Sequence, residues 1–219
     1  MIYPAMPPPT QTLRWTASYP LVVGSASPRR HKLLRQLGLS FDVLATDASE
    51  IHDESDPVGT VVHNALAKMS ACRRLRPETC LLTADTLVLF AGRLIGKPRD
   101  LDEAAEFLRA FSGRTQTVYT AVALALPDFE PEIRVEASAV HFRPLDEATI
   151  QEYLQRTRPL DRAGAYDIDE NGELLISGFG GSYSNIMGLP VETVADWFVA
   201  RGVATGRQAY RLDPSASPL

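Results

Sequence analysis

Residues 81–90, LLTADTLVLF, constrain the fold more than any other part of the chain. Such an almost continuously apolar run is typical of a strand that is buried on both faces of a sheet. Both faces then need a covering layer of helices, which predicts an α/β domain. Asp85 interrupts the run, and a buried carboxylate is costly unless it is paired, protonated or metal-bound. We therefore interpret Asp85 as a functional residue, with a purely structural role as the alternative.

A second segment, residues 21–38, predicts a buried strand, a tight turn of small residues and a helix. Ser27 is a suitable N-cap, and Pro28 suits the first helical position, where the missing N–H costs nothing. Arg29 and Arg30 follow in the first turn, where cations oppose the helix dipole. A bound polyanion would remove this conflict, because a helix N-terminus attracts anions. The alternative is that both arginines are solvated surface residues.

The remaining chain alternates between helical and strand patterns. The spacing of apolar residues predicts helices at residues 57–75, 101–111, 147–156 and 191–201. Residue composition predicts strands at 41–46, 93–95, 116–126, 133–143 and 174–177, and a glycine-rich loop at 179–183. The two long strands are expected to form an antiparallel pair. This order predicts the α/β class with an elongated mixed sheet flanked by helices.

The size and composition suit one sizeable domain. We predict a flexible proline-rich leader at residues 1–19, a domain at 20–204 and a flexible tail at 205–219. No run of about 18 apolar residues is present, so no membrane span is expected, and the leader lacks the layout of a secretory signal. The formal net charge of −5 argues against general nucleic-acid binding. Any phosphate chemistry therefore depends on a local basic cluster.

The two cysteines, Cys72 and Cys80, lack the spacing of metal ligands. We interpret them as thiols of a protein in the cytoplasm, a reducing compartment, with a disulfide as the alternative.

Several charged residues are candidates for a site. The acidic loop at 47–56 includes Glu50, and one carboxylate of this loop is a candidate metal ligand, although a solvated loop explains most of it. Lys68 falls near the apolar side of the predicted helix at 57–75, either extending outward to solvent or placed to meet an anion. Lys97 follows the predicted strand at 93–95.

Five short motifs occur in a fixed order along the chain. They are Ser25-x-Ser27-Pro28-Arg29-Arg30, Ala84-Asp85-Thr86, Gly96-Lys97-Pro98, Ser112-Gly113 before Thr117-Val118-x-Thr120, and Ala163-Gly164-Ala165-Tyr166. Each motif is weak alone, but the ordered set closely resembles the Maf family of nucleoside-triphosphate pyrophosphatases. The resemblance extends over residues 21–202.

The resemblance implies a fold similar to the inosine-triphosphate pyrophosphatases, with a cleft between two lobes. It also implies hydrolysis of a nucleoside triphosphate to the monophosphate and pyrophosphate with a divalent cation (Mg²⁺ or Mn²⁺), and a homodimer. The matching positions are Asp85 as general base with Lys68 and Lys97 in catalysis, Ser25, Arg29, Arg30, Thr86 and Asp169 in substrate binding, and Glu50 with Asp85 as metal ligands.

Elementary chemistry agrees with these assignments. Arginine side chains, a helix N-terminus and lysines suit a triphosphate, which carries about four negative charges at neutral pH. Water attack on phosphorus needs a base to orient or deprotonate the water and a metal to neutralise developing charge. Mg²⁺ and Mn²⁺ prefer oxygen ligands such as the two carboxylates. Our hypothesis is that Asp85 activates a water that attacks the α-phosphorus.

Two motifs place the chain nearer to the dTTP/UTP pyrophosphatase subgroup than to the 7-methyl-GTP subgroup. The Ala-Gly-Ala-Tyr box is absent from the second subgroup, which commonly has Ala-Asp-Ser where this chain has Ala-Asp-Thr. Two positions depart from the pattern: Asp169 replaces the usual glutamine and Gln116 a common histidine. Glutamine donates and accepts hydrogen bonds, whereas an ionised aspartate only accepts. The base preference therefore stays open, and we interpret Gln116 as structural.

Two other functions stay open at this point. One is a non-catalytic nucleotide-binding regulator of septation, although binding alone would not need a buried carboxylate. The other is different phosphoryl chemistry, such as a sugar-phosphate phosphatase, which would release orthophosphate rather than pyrophosphate. The Walker pattern Gly-x-x-x-x-Gly-Lys-Ser/Thr is absent, which argues against a P-loop NTPase.

Overall fold

The computed structural model describes residues 12–206. Residues 1–11 of the predicted leader and residues 207–219 of the predicted tail lie outside this range. The helices are α1 (Pro28–Gln36), α2 (Pro57–Leu75), α3 (Leu101–Phe111), α4 (Glu147–Thr157), α5 (Tyr183–Ile186) and α6 (Val191–Ala200). The strands are β1 (Arg14–Trp15), β2 (Leu21–Val23), β3 (Asp42–Val43), β4 (Cys80–Phe90), β5 (Arg93–Ile95), β6 (Thr115–Ala125), β7 (Glu132–Phe142), β8 (Ile176–Gly180) and β9 (Ala204–Thr205).

The main sheet of the described residues has the order β3-β2-β4-β6-β7-β8, with β5 paired to β4. Strand β2 runs parallel to both of its neighbours, β3 and β4. The pairs β4–β6, β6–β7 and β7–β8 are antiparallel. The predicted antiparallel pair of long strands is confirmed as β6 and β7. A mixed sheet flanked by helices, the predicted fold class, is likewise confirmed.

The central strand β4 separates two apolar clusters. Side chains alternate between the faces of a strand, so neighbouring residues of β4 enter different clusters. On one face, Val61, Ala65 and Met69 of α2 pack with Leu81 of β4. The other face carries the larger cluster, which holds the buried residues Leu33, Leu34, Leu82, Leu108, Phe111 and Phe198 from α1, β4, α3 and α6. Both faces of β4 are therefore covered, as its composition predicts.

One edge of β4 carries a gap between strands. Strand β6 occupies the other edge over Leu81–Leu89. On the gapped edge, β2 pairs with β4 as far as Leu82, and β5 pairs with it only from Val88. Within the described residues, the five residues between these pairings, 83–87, have no strand on this edge. Asp85 and Thr86 lie in this gap, which is where a cavity opens.

The structure corrects several local predictions. Of the strand predicted at 41–46, only the two residues of β3 form a strand. The strand expected at 174–177 lies later, at Ile176–Gly180. We predicted a glycine-rich loop beginning at Phe179, but Phe179 and Gly180 pair with β7, because backbone pairing needs no side chain. The short helix α5, where we predicted the end of that loop, was missed.

The described part of the predicted leader also packs against the domain. Strand β1 pairs with β9, Leu13 is buried, and the Trp15 ring meets the Phe198 ring edge-on at 5.4 Å between centroids. Residues 13–15 therefore belong with the core rather than with a separate leader. None of the helices in residues 12–206 combines the length and apolar character that a membrane span needs.

The close approach of β2 to α2 gives a stability prediction at Gly24. A Cβ atom at Gly24 would lie 2.5 Å from Sγ of Cys72 and 2.6 Å from Cγ2 of Thr83, and both of these residues are fully buried. Overpacking of this kind costs about 1–3 kcal/mol. We expect Gly24→Ala to lower the free energy of unfolding by that amount in urea denaturation. Gly178→Ala is the matched control, because no atom lies within 4 Å of its Cβ position; equal stability of both variants would contradict the prediction.

Candidate active site

A cavity of about 660 Å³ opens at the gap in the sheet. Its wall includes the turn after β2, the start of α1, the middle of β4 and the segment after β5. Eight of the nine predicted site residues line it: Ser25, Arg29, Arg30, Glu50, Lys68, Asp85, Thr86 and Lys97. Asp169 does not. The structure thus brings together residues from five separate segments, while their individual roles stay predictions.

Asp85, Lys68 and Glu50 form one cluster of charges on the α2 side of the sheet. Nζ of Lys68 lies 2.6 Å from Oδ1 of Asp85 and 2.8 Å from Oε1 of Glu50. Asp85 is only 6% exposed, so its carboxylate needs these partners to offset the loss of solvation. Of the two alternatives for Lys68, the helical pattern alone favours extension to solvent, whereas the structure shows the ammonium group in contact with two carboxylates of the protein.

Asn64, which sequence reasoning missed, holds this cluster in place. Its side chain is 1% exposed, and Nδ2 donates to Oδ2 of Asp85 at 3.1 Å. The same side chain accepts from the backbone N–H of Ile51 at 2.8 Å and donates to its carbonyl at 3.2 Å. Asn64 therefore connects Asp85 to the acidic loop that carries Glu50. The available signal was a polar residue one helical turn before Lys68, on the apolar side of the helix.

Arg30 lies buried beneath the first turn of α1 rather than on the surface. Its Nε donates to the carbonyl of Gly188 at 2.8 Å, Nη1 to the carbonyl of Ala84 at 3.0 Å and to Oγ of Ser25 at 3.1 Å, and Nη2 to Oγ1 of Thr86 at 2.9 Å. Burial lowers the pKa of Arg30, and the charge of Asp85 acts in the opposite direction. Oxygen atoms of the protein thus offset the unfavourable position of this cation on the helix.

Arg29 and Lys97 are more open to the cavity than Arg30. The side chain of Arg29 is 31% exposed, and its Nη1 lies 3.8 Å from Oδ2 of Asp167. Lys97 is exposed and also lines the cavity. The carbonyl of the preceding Gly96 accepts from the N–H of Gly164 at 3.0 Å, which ties the Lys97 segment to the Ala-Gly-Ala-Tyr motif.

The Ala-Gly-Ala-Tyr motif forms a left-handed turn at the cavity. Gly164 and Ala165 have φ of +76° and +57°, and a Cβ at Gly164 would lie 3.3 Å from the ring of Tyr166. Asp167 follows directly, is 8% exposed and accepts from Nε of Arg162 at 2.8 Å. Sequence reasoning missed this buried ion pair, although the two charges flank an apolar motif.

Asp169 lies beside the cavity without lining it. Its Oδ2 accepts from Nζ of Lys32, its Oδ1 lies 3.4 Å from the hydroxyl of Tyr183, and its N–H donates to Oδ1 of Asp167 at 2.7 Å. Lys32 was not among the predicted site residues. It is 137 residues distant from Asp169 in sequence, so no local pattern pointed to it.

Gln116, the second departure from the family pattern, is 1% exposed. Among the described residues, neither polar atom of its side chain has a hydrogen-bond partner. It lies on β6, two residues before Val118, which lines the cavity. The interpretation of Gln116 as structural stays a prediction.

The acidic residues of the cavity fit a divalent cation with few protein ligands. Within residues 12–206, no three or more His, Cys, Asp or Glu side chains come together as a metal site. Glu50 and Asp85 converge on the same Nζ atom and offer oxygen donors only. Mg²⁺ is commonly held by one or two carboxylates with substrate phosphates and water, so this pair suits it. Both cysteines are free and buried, and burial raises the pKa of Cys80 to about 12, so it is a poor ligand.

Comparison with known proteins identifies the family to which this chain is similar. A family model described as Maf-like protein matches residues 20–200. A dTTP/UTP pyrophosphatase of Moorella thermoacetica is 42% identical over 185 residues, covering 84% of this chain and 95% of that protein. A dTTP/UTP pyrophosphatase of Akkermansia muciniphila is 40% identical over 176 residues, covering 80% and 93%.

One solved structure is a more distant match. The nucleoside-triphosphatase (dITP/XTP pyrophosphatase) of Mycobacterium abscessus is 15% identical, with a TM-score of 0.39 over 83% of this chain and 92% of that chain. At this TM-score the likeness carries no weight for fold or function. The family model and the sequence relatives, by contrast, span nearly all of the described residues. The chain therefore belongs to the Maf family.

Proposed function

We propose that the protein hydrolyses nucleoside triphosphates to the monophosphate and pyrophosphate, with dTTP and UTP as its main substrates. The observation that carries this proposal is the cluster of Asp85, Lys68 and Glu50, which faces the basic start of α1 across one cavity. Relatives named dTTP/UTP pyrophosphatase, similar over most of the chain, support the same reaction and substrates.

The basic wall of the cavity is suited to the phosphates. The N-terminus of α1 offers backbone N–H groups and a partial positive charge. Arg29 adds a planar guanidinium that can bind two phosphate oxygens at once, and Lys97 adds a point charge from the segment after β5. Arg30 already donates to four oxygen atoms of the protein, so we assign it to positioning rather than to direct phosphate binding.

Asp85 is the residue best placed to accept a proton from water. Each of its oxygens takes one hydrogen bond from the protein, from Lys68 or from Asn64, and each keeps a lone pair for a further donor. In the proposed step, the water oxygen bonds to the α-phosphorus and its proton passes to Asp85. The bond from the α-phosphorus to the bridging oxygen breaks, and pyrophosphate leaves with the electron pair.

Glu50 and Asp85 are the residues that would hold the divalent cation. When bound, such a cation supplies positive charge that offsets the charge developing on the phosphates. Lys68 contributes a fixed positive charge between the same two carboxylates. The acidic loop keeps Glu50 near Asp85 because Asn64 holds the backbone of the neighbouring Ile51.

The two cysteines bear on the compartment in which the protein acts. Cys72 and Cys80 are both free thiols, which supports a reducing compartment such as the cytoplasm. The homodimer, which only the family resemblance implies, stays a prediction.

Asp85→Asn tests the proposed reaction. The amide cannot accept a proton as a carboxylate does, so we expect kcat with UTP and dTTP to fall about 10²–10⁴-fold, the usual contribution of a general base. The measurement is pyrophosphate release in the presence of Mg²⁺ or Mn²⁺. Asp102→Asn, on the exposed surface of α3, is the matched control and keeps wild-type turnover.

The first product, and whether any phosphate is released at all, distinguish a pyrophosphatase from a phosphatase and from a binding regulator. Orthophosphate as the first product would favour a phosphatase over a pyrophosphatase. Nucleotide binding by the wild type without any phosphate release would favour a binding regulator. Full turnover by a folded Asp85→Asn protein would remove Asp85 from the chemistry.

The two arginines of the motif give a second prediction. Arg30→Lys leaves several buried acceptors without a donor, each at a cost of about 1–3 kcal/mol, so we expect a clear drop in melting temperature together with lost turnover. Arg29→Lys, at a partly exposed position, should keep the melting temperature and raise KM for UTP instead. Thermal unfolding and steady-state kinetics of both variants check this split. An Arg30→Lys protein as stable as the wild type would contradict the positioning role.

A further inference from the structure

Lys32 and Asp169 form an ion pair at the rim of the candidate active site. Nζ of Lys32 lies 2.5 Å from Oδ2 of Asp169, and the side chains are 54% and 28% exposed. The hydroxyl of Tyr183 lies 3.4 Å from the other carboxylate oxygen. A cation and an anion thus stand side by side and remain open to a ligand.

Both members of the pair adjoin the wall of the cavity. Lys32 follows Pro28, a lining residue, by one helical turn and so lies on the same side of α1. Asp169 directly follows Ile168, which also lines the cavity. Its N–H donates to Oδ1 of the lining residue Asp167, which fixes this segment against the wall. A nucleotide whose phosphates lie against the start of α1 therefore has this rim within reach of its distal part.

We propose that Lys32 is a specificity-determining residue that reads the substrate base together with Asp169. This proposal rests on the proposed function and deepens it. Uracil and thymine present an N3–H donor flanked by two carbonyl acceptors. The carboxylate of Asp169 accepts from N3–H, and the ammonium group of Lys32 donates to the O4 carbonyl, which cytosine lacks. The two charged side chains thus supply the acceptor and the donor that a single glutamine amide offers.

The same pair discriminates against cytosine. Cytosine has an unprotonated N3 and carries an amino group in place of O4, so its lone pair would face the carboxylate of Asp169 and its amino group would face the ammonium ion of Lys32. Both contacts are repulsive, and specificity commonly arises from such repulsion. Asp169 alone supplies no hydrogen-bond donor for a carbonyl of the base, unlike the glutamine that is usual at its position. Lys32, which lies far from Asp169 in the sequence, supplies that donor.

The test compares UTP with CTP in matched variants. In Lys32→Met we expect the ratio of kcat/KM for UTP over CTP to fall about tenfold, mainly through KM for UTP, as for the loss of one charge-assisted hydrogen bond. Arg35→Met is the control, because it removes one positive charge from an exposed position of the same helix. That variant should leave the ratio unchanged, and Lys32→Arg should largely preserve it.

A second set of variants, made in the Asp169→Gln protein, distinguishes recognition of the base from a merely structural ion pair. In Asp169→Gln, the amide supplies donor and acceptor by itself, so the further change Lys32→Met should alter the UTP/CTP ratio much less than it does in the wild type. Melting temperatures of all variants are measured alongside. Calorimetric binding of UMP and CMP to the same proteins reports on the base independently of turnover.

The outcomes distinguish this inference from the proposed function. Absence of pyrophosphate from every nucleotide in the wild type would overturn the proposed function, while UMP and CMP binding would still test the pair. Turnover of UTP with a UTP/CTP ratio that Lys32→Met leaves unchanged would overturn the inference alone. A loss of stability in Lys32→Met without a change in the ratio would likewise assign the pair to structure.

Discussion

The buried guanidinium of Arg30 is the interaction on which the site depends. The gap between β2 and β5 leaves part of one edge of β4 without a strand, and unpaired buried carbonyls are costly. Arg30 supplies a donor to the carbonyl of Ala84 on that edge and to the carbonyl of Gly188 beside it. Its planar fork also binds Oγ of Ser25 and Oγ1 of Thr86. One side chain therefore holds the gap open and fixes three segments around it, which a lysine, with a single nitrogen, would not match.

The alternation of β4 then determines which helix each neighbouring residue meets. Asp85 points to α2, where Asn64 and Lys68 lie one turn apart, and Thr86 points to the opposite face, where α1 supplies Arg30. Two adjacent positions in the sequence thus receive different environments from two different helices. Because one edge of β4 has no partner strand at this point, while β6 occupies the other edge, both residues still border the same cavity.

The positions of these contacts in the chain explain which parts of the fold and of the site could be predicted from the sequence. The apolar run with a single carboxylate predicts a central strand and a functional Asp85, because burying a charge has a cost that any fold must meet. Helix starts such as Pro57 were predicted because caps are local, and the side chain of Asp56 accepts from the N–H of Gly59; Ser27 precedes α1 as predicted but makes no side-chain capping bond. Asn64 was missed although its place on the apolar side of the helix was a signal, because its partner Asp85 lies 21 residues away; Lys32 was missed because its partner lies 137 residues away, and that distance leaves no periodic signal. Trp15 was assigned to a leader since its partner, Phe198, lies near the other end of the chain.

The distribution of charge in the cavity bears on how the proposed substrate enters. The cluster of Glu50, Lys68 and Asp85 has one formal negative charge in excess, whereas Arg29 and Lys97 carry positive charge on the other walls. A triphosphate alone would be attracted to the basic walls and repelled from the acidic cluster, which is where attack on the α-phosphorus is proposed. A nucleotide that arrives with a divalent cation reverses the sign of that local interaction. Under the proposed function, the excess carboxylate would make productive binding depend on the cation, while Lys68 keeps the two carboxylates close together without it.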